Sequence, residues 1–377
     1  MTKIDINKKP FHKATMLKLD IFRRCFREWF PVFVHHPNIK KIYIYDMFAG
    51  SGTDSLGNPG SPIILLEEAK GDKCQHCKAI VKNNKCVVFG FNEKEKEKEE
   101  LLDKAKDDFL LRCKSNCPLE RCVYSNSIYC RDASFEDIMK SSNFGKILAN
   151  KNYAKFILLD QYGFSQITKD VFLKLVTSPL TDFIFFISSS FIKRFQEKDS
   201  VKTYINTNKL VFEETQPKEC HRIIADYFRN LIPDNKEYYI HHFTIQKGVN
   251  YYGLIFGTSH TLGMEKFVRV CWMEDENSGE SNCNINNDFE KGSLFYDPAN
   301  TTKKKIIREK LETLILNGNI KSNIEGLKWV LSQGCEPRLF VEVAKSLIEQ
   351  NKVVIQGKFN KQSSNIHKVQ EYKIEVL

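Results

Sequence analysis

Residues 42–52 read Ile42-Tyr43-Ile44-Tyr45-Asp46-Met47-Phe48-Ala49-Gly50-Ser51-Gly52, an apolar run that reaches an acid and passes at once into a glycine-rich turn. A short, continuously apolar run of β-branched and aromatic residues fits a strand covered on both faces. Ser61-Pro62 followed by IILLEEAK reads as a helix start. The unit is therefore strand, turn, helix. Gly50 and Gly52 allow a tight turn and close ligand approach at the carboxyl end of the strand, where open α/β sheets bind. A dinucleotide fingerprint needs Gly or Ala three positions after Gly52, and Ser55 stands there. Packing alone is the other reading of the two glycines.

Upstream, His12 to Phe33 carries apolar residues at helical spacing with Lys and Arg between them, an amphipathic leading helix. Downstream, the order repeats: strands over 86–93, 128–133, 155–164 and 182–189, separated by helices from Lys94 to Leu111, from Phe135, and from Thr168 to Thr177. A helix from Glu219 to Leu231 precedes strands 238–246 and 252–259, which read as an antiparallel pair at one edge. This alternation predicts a mainly parallel sheet with helices on both faces.

A polar, turn-rich segment from Glu274 to Pro298 divides the chain into 1–300 and 301–377. Helical stretches near 303–317, 323–332 and 337–350, then strands 353–357 and 371–376, follow the winged-helix plan, with a basic segment between the strands. A dimerisation or packing module is the alternative.

The chain has 377 residues, 42% of them hydrophobic and 28% charged, which excludes wholesale disorder and fits one large and one small domain. No apolar core follows the basic N-terminus, and Phe183 to Ile192 is broken by three serines, so no secretion signal or membrane span is expected and the location reads as cytoplasmic. The net charge of +10 is concentrated at the ends, +6 in 1–40 and +6 in 301–377. A polyanionic partner, DNA or RNA, is the economical reading, and solubility alone is the other.

Acids recur at strand ends: Asp46, Glu93, Asp132 and Asp160. An S-adenosylmethionine pocket needs this arrangement, with a Gly-rich turn under the methionine part and carboxylates for the ribose and adenine. Asp46, Phe48, Ala49, Gly50 and Gly52 are the candidate methionine side, with Asp46 on the amino group; Glu93 is assigned to the ribose and Asp132 to the adenine. Asp160-Gln161-Tyr162-Gly163-Phe164 is similar to the Asp-Pro-Pro-Tyr motif of methyltransferases acting on exocyclic base amines. Such an amine is a poor nucleophile until hydrogen bonds localise its lone pair, which makes Asp160 the candidate catalytic acceptor. Tyr162 could stack on a flipped base. Gln161 replaces the usual Pro, which puts loop rigidity in question.

The sequence also resembles the three-Cys-motif partner protein (TcmP) family, through HKATMLKLDIFRRCFREWF, YIYDMFAGSGTDSLGNPGSPIILLEEA, FILLDQYGF and YYGLIFGTSHTLGMEKF ahead of the tail. The resemblance implies a Rossmann-like methyltransferase domain joined to a winged helix, a bacterial setting associated with phage defence, and a radical-SAM-like partner protein. The three cysteines of the family's name belong to that partner.

Twelve cysteines in a chain without an export signal read as thiols or metal ligands. Cys74-Gln75-His76-Cys77 opens an insertion near 72–86, and Cys113, Cys117 and Cys122 follow the next helix in a second Cys-rich stretch near 113–122. Cys74, Cys77, Cys117 and Cys122, two from each, could complete a structural zinc site; free thiols are the alternative. His241, His242 and His260 read as packed or surface residues. The expected protein is a methyltransferase acting on nucleic acid, with a non-catalytic binding subunit as its rival.

Overall fold

The computed structural model describes residues 9–119, 122–161, 165–188, 194, 216–357, 359, 366 and 369–377. Helix α1 (Lys13–His35) precedes β1 (Lys41–Asp46), α2 (Ser61–Lys70), α3 (Gln75–Lys82), β2 (Cys86–Asn92), α4 (Lys96–Asn116) and β3 (Ile128–Arg131). Then come α5 (Phe135–Lys140), α6 (Ser142–Ala149), β4 (Tyr153–Leu159), α7 (Lys169–Thr177), β5 (Thr181–Ile187), α8 (Cys220–Arg229), β6 (Tyr239–Lys247), β7 (Asn250–Thr258) and α9 (Thr261–Glu274). The tail holds α10 (Thr302–Leu316), α11 (Asn323–Ser332), α12 (Arg338–Glu349), β8 (Val353–Gln356) and β9 (Lys373–Val376).

Seven strands form one sheet in the order β3-β2-β1-β4-β5-β7-β6. The pairings from β3 through β5 are parallel, and β7 runs antiparallel to both β5 and β6. The predicted alternation and antiparallel edge pair are thus present. The chain leaves β1 toward β2 and β3, then crosses back to β4, so the topological switch lies between β1 and β4, where open sheets bind ligands.

Strand β4 shows why both faces must be covered. Phe156 and Leu158 enter one apolar layer with α1, α2, α4 and α9, while Ile157 and Leu159 enter the other with residues of α5, α6, α7 and α8. Alternate side chains of a strand point to opposite faces, so a run buried throughout demands two layers. Helix α1 packs through Phe22, Phe26, Trp29 and Phe30, and the Phe26 and Trp29 rings lie 5.4 and 5.1 Å from that of Phe156.

Four places differ from the sequence reading. The Cys74–Cys77 stretch is largely helix α3, and Cys113 lies within α4 and not in the following loop. The helix begun at Phe135 is two short helices, because Ser141 caps a new one, accepting from the Phe144 N–H at 3.3 Å. Helix α9 was unmarked by the alternation; it packs against α1, β6 and β7.

In the tail, three helices precede the antiparallel β8–β9 pair. Ile307, Leu311, Leu327, Val330 and Phe340 belong to the same apolar cluster as the α1 face of the sheet. Trp272 of α9 donates to the Gly334 carbonyl at 2.9 Å across this junction.

Candidate active site

Four predicted acids lie at the carboxyl ends of four adjacent parallel strands: Asp132 after β3, Glu93 after β2, Asp46 at the end of β1 and Asp160 after β4. Asp46 pairs in register with Phe91 on one side and Leu158 on the other, so Asp160 stands two residues beyond the neighbour of Asp46.

Asp46 is fully buried, accepts from the Phe48 N–H at 3.2 Å and hydrogen bonds with Ser61, while its Oδ2 has no partner among the described residues. Burial pushes its carboxyl up to about 7, against the pull of the Ser61 hydrogen bond; Asp160 pushes the same way as burial. A buried acceptor oxygen without a partner is costly, and a ligand ammonium would satisfy it. Gly50 and Gly52 have φ of 62° and 79°, the left-handed region that favours glycine. Glu93 accepts the Gly50 N–H at 3.1 Å, tying the turn to β2. Ala49 donates to the Asn92 carbonyl at 2.8 Å, and the Phe48 ring lies 5.2 Å from Phe135. Gly52 also has a packing role: a Cβ there would lie 3.0 Å from the Ala105 Cβ of α4. Asp132 is exposed and pairs with Lys96 at 3.4 Å.

Asp160 is ion-paired with Lys18, which arrives from α1. The Lys18 ammonium also lies 4.8 Å from the centroid of Phe186, at the end of β5. Gln161 is buried, donates to the Phe186 carbonyl at 3.2 Å and accepts the Gln166 N–H at 2.9 Å. Gln161 therefore links Phe186 and Gln166 through its side-chain amide. Tyr162 lies outside the described residues.

Two residues at the site escaped sequence reasoning. Lys18 is one among many helix lysines, and nothing local marks it. Asp54 accepts from the N–H groups of Phe11, Leu56 and Asn58, so it fastens the start of α1 to the loop beyond the glycine turn; the Asp-x-x-Gly-Asn spacing was its one available signal.

The predicted cysteines converge, but in pairs. Cys113 and Cys122 sulfurs are 3.9 Å apart, and Cys74 makes side-chain contacts with Cys117 and Cys77. Burial pushes the Cys77 and Cys113 thiols up to about 12, with neighbouring sulfurs adding to the shift. Lys73 and Cys74 both have positive φ, 48° and 57°. Among the described residues, the group whose ligand atoms lie within 4.8 Å of one another is a different one, His221, His242 and Glu280. Glu280 there is already matched by Lys303 at 2.8 Å and Arg222 at 2.7 Å, so the cluster is a charge-balanced seam between the sheet edge and the tail. His241 and His242 are buried, as expected of packed residues, and His260 caps α9.

The strand order, the antiparallel seventh strand and the glycine turn at the switch point define a Rossmann-like fold of the S-adenosylmethionine-dependent methyltransferase type. Solved structures similar to this chain include M. jannaschii TYW2 in complex with AdoMet, with 11% identity and a TM-score of 0.31 over 67% of this chain and 78% of that one. Trm1 from Pyrococcus horikoshii with S-adenosyl-L-methionine has 11% identity and a TM-score of 0.34 over 80% and 72% of the two chains. Precorrin-6y C5,15-methyltransferase from Geobacter metallireducens has 9% identity and a TM-score of 0.32 over 68% and 96%. These likenesses concern the fold alone. No protein-family model matches the chain, and no curated protein matches it.

Proposed function

We propose that the protein is an S-adenosylmethionine-dependent methyltransferase acting on an exocyclic base amine of DNA or RNA. The observation that carries this reading is the buried, half-partnered Asp46 beside the Gly50 turn, one strand from Asp160. Asp46 would hold the cofactor's amino group, Gly50, Phe48 and Ala49 its methionine side, and Glu93 and Asp132 the ribose and adenine. When bound, the cofactor supplies an electrophilic methyl group. Asp160 would accept a hydrogen bond from the amine and localise its lone pair, and Tyr162 would stack on the base. Purified protein incubated with labelled S-adenosylmethionine and total cellular DNA and RNA tests the reading: label in nucleic acid supports it.

The rival is a cofactor-binding subunit that does not transfer methyl groups, favoured by one observation: Lys18 already occupies the Asp160 carboxylate. On the TcmP resemblance, either protein would work in a bacterial defence setting with a radical-SAM-like partner, and residues 301–377 would be a winged-helix module contacting nucleic acid.

We also propose a structural zinc in the cysteine corner, drawn from Cys74, Cys77, Cys117 and Cys122, with Cys113 as a fifth thiol beside Cys122. A cation would offset the electrostatic penalty that holds these thiols protonated.

A further inference from the structure

The switch point places two carboxylates on neighbouring strand ends with one lysine between them and the first helix. Asp46 is fully buried; the Asp160 and Lys18 side chains are 16% and 12% exposed. The Asp160 charge disfavours the ionised form of the buried Asp46. Holding a cofactor ammonium requires Asp46 to be charged, and accepting a hydrogen bond strongly from an amine requires the same of Asp160. The pocket therefore needs a compensating cation.

We infer that Lys18 is a positioning residue of this site: its ammonium neutralises Asp160 so that Asp160 and Asp46 carry charge together, which makes α1 part of the cofactor and acceptor pocket. The inference deepens the methyltransferase reading and rests on it for its functional meaning. Three observations support it. Lys18 makes its ion pair with Asp160, 142 residues away, and not with a neighbour on its own helix. The ammonium is further held over the faces of Phe186 and Phe22, at 4.8 and 5.8 Å, so it is a fixed charge. The start of α1 is anchored independently by the Phe11 N–H to Asp54, at 2.8 Å.

The groups bearing on Asp46 are the Phe48 N–H in the turn after β1, the Ser61 hydroxyl of α2, Asp160 beyond β4 and Lys18 of α1. Of these, Lys18 and the two hydrogen bonds favour its charged form and Asp160 opposes it. An acceptor that draws Asp160 away from Lys18 would be felt at Asp46, coupling the two halves of the pocket.

The test is the titration of Asp46 in the ligand-free full chain, followed through carboxyl-labelled aspartate by NMR, with Asp46→Asn as the assignment control. Lys18→Gln should raise the Asp46 midpoint by about one pH unit, Lys18→Arg should restore it, and Asp160→Asn should lower it. An unchanged midpoint in Lys18→Gln would overturn the inference. If Lys18→Gln does not fold, Asp160→Asn decides, since a midpoint that fails to fall removes the coupling. S-adenosylhomocysteine titrations at several pH values separate the two levels. A midpoint that moves in protein that never binds S-adenosylhomocysteine keeps the charge coupling and removes the cofactor reading. Binding whose pH dependence is the same in Lys18→Gln and wild type keeps the cofactor reading and removes the role of Lys18.

Discussion

The indole N–H of Trp29 donates to the Asp182 carboxylate across 2.6 Å, both groups buried, and so pins α1 to the start of β5. Burial pushes the Asp182 carboxyl up to about 6, against the hydrogen bonds from Thr258 and Trp29. The folded state thus holds this proton to higher pH than the unfolded chain, whose aspartates titrate near 4, and stability falls as pH rises from about 4 to about 6. Asp182→Asn should remove that loss, of order 2 kcal/mol. Urea midpoints at pH 4.5 and 7.5 check it: wild type should lose more than the variant between the two, and equal losses would contradict the assignment.

Cofactor affinity should rise with pH through the Asp46 titration. With its folded carboxyl pushed up to about 7, Asp46 is largely neutral at pH 6 and cannot attract an ammonium until it ionises. Calorimetry should show S-adenosylhomocysteine binding several-fold tighter at pH 8 than at pH 6, and flat, weak binding in Asp46→Asn. Gly50→Val should abolish binding, because a β-branched residue is strained at a φ of 62°.

Asp160→Ala should lower methyl transfer by about two to four orders of magnitude while leaving S-adenosylhomocysteine affinity at pH 8 nearly unchanged. Tyr162→Ala should lose roughly 1–3 kcal/mol of base stacking, and Tyr162→Phe should recover most of it. If biological activity survives Asp160→Ala but not Gly50→Val, the binding subunit is the better reading.

Metal analysis of freshly purified, reduced protein should give close to one zinc per chain, and chelation should lower the melting temperature. Among single Cys→Ser changes at Cys74, Cys77, Cys113, Cys117 and Cys122, four should lose the metal and one should keep it. Less than a tenth of an equivalent in wild type would count against the site.

Nucleic-acid binding through the tail should depend on its exposed cations, among them Lys305, Lys310, Arg338 and Lys345. Lys303 is excluded, since it is buried against Glu280. Because the apolar core runs from the sheet into α10, α11 and α12, truncation would expose it, and charge removal is the cleaner test. Each lost phosphate contact should reduce the slope of log affinity against log salt by about 0.9. Unchanged affinity and slope in a Lys305→Gln, Lys310→Gln, Lys345→Gln triple variant would argue for a packing role.

Strands β4 and β5 were legible because runs buried on both faces leave an unbroken apolar signature, β1 and β2 because apolar residues also fill most of their partly covered faces, and the acids after β1, β2 and β4 stood out where those runs ended. Helix α9 was not. TLGMEKFVRVCWME buries Glu265 among its apolar residues, and only its seat against α1 and the β6–β7 pair makes that pattern a helix face. Helix α3 in the Cys-rich stretch and the place of Cys113 on α4 were not legible either.

By itself the sequence determined the alternating architecture, the glycine turn after β1 and the acids that follow the parallel strands. These are properties of contiguous residues, set by burial period and backbone sterics. Only the tertiary structure decided what each acid faces. Asp132 pairs with Lys96 at the surface, Glu93 holds the Gly50 N–H, Asp46 is buried with one oxygen unpartnered among the described residues, and Asp160 meets Lys18, 142 residues earlier in the chain. It also showed the Gln161 side chain donating to the Phe186 carbonyl, a contact no local pattern announces. The physical reason is that ionisation and hydrogen bonding depend on what lies within a few ångströms, and packing of α1 against the sheet, rather than spacing along the chain, brings residue 18 to residue 160.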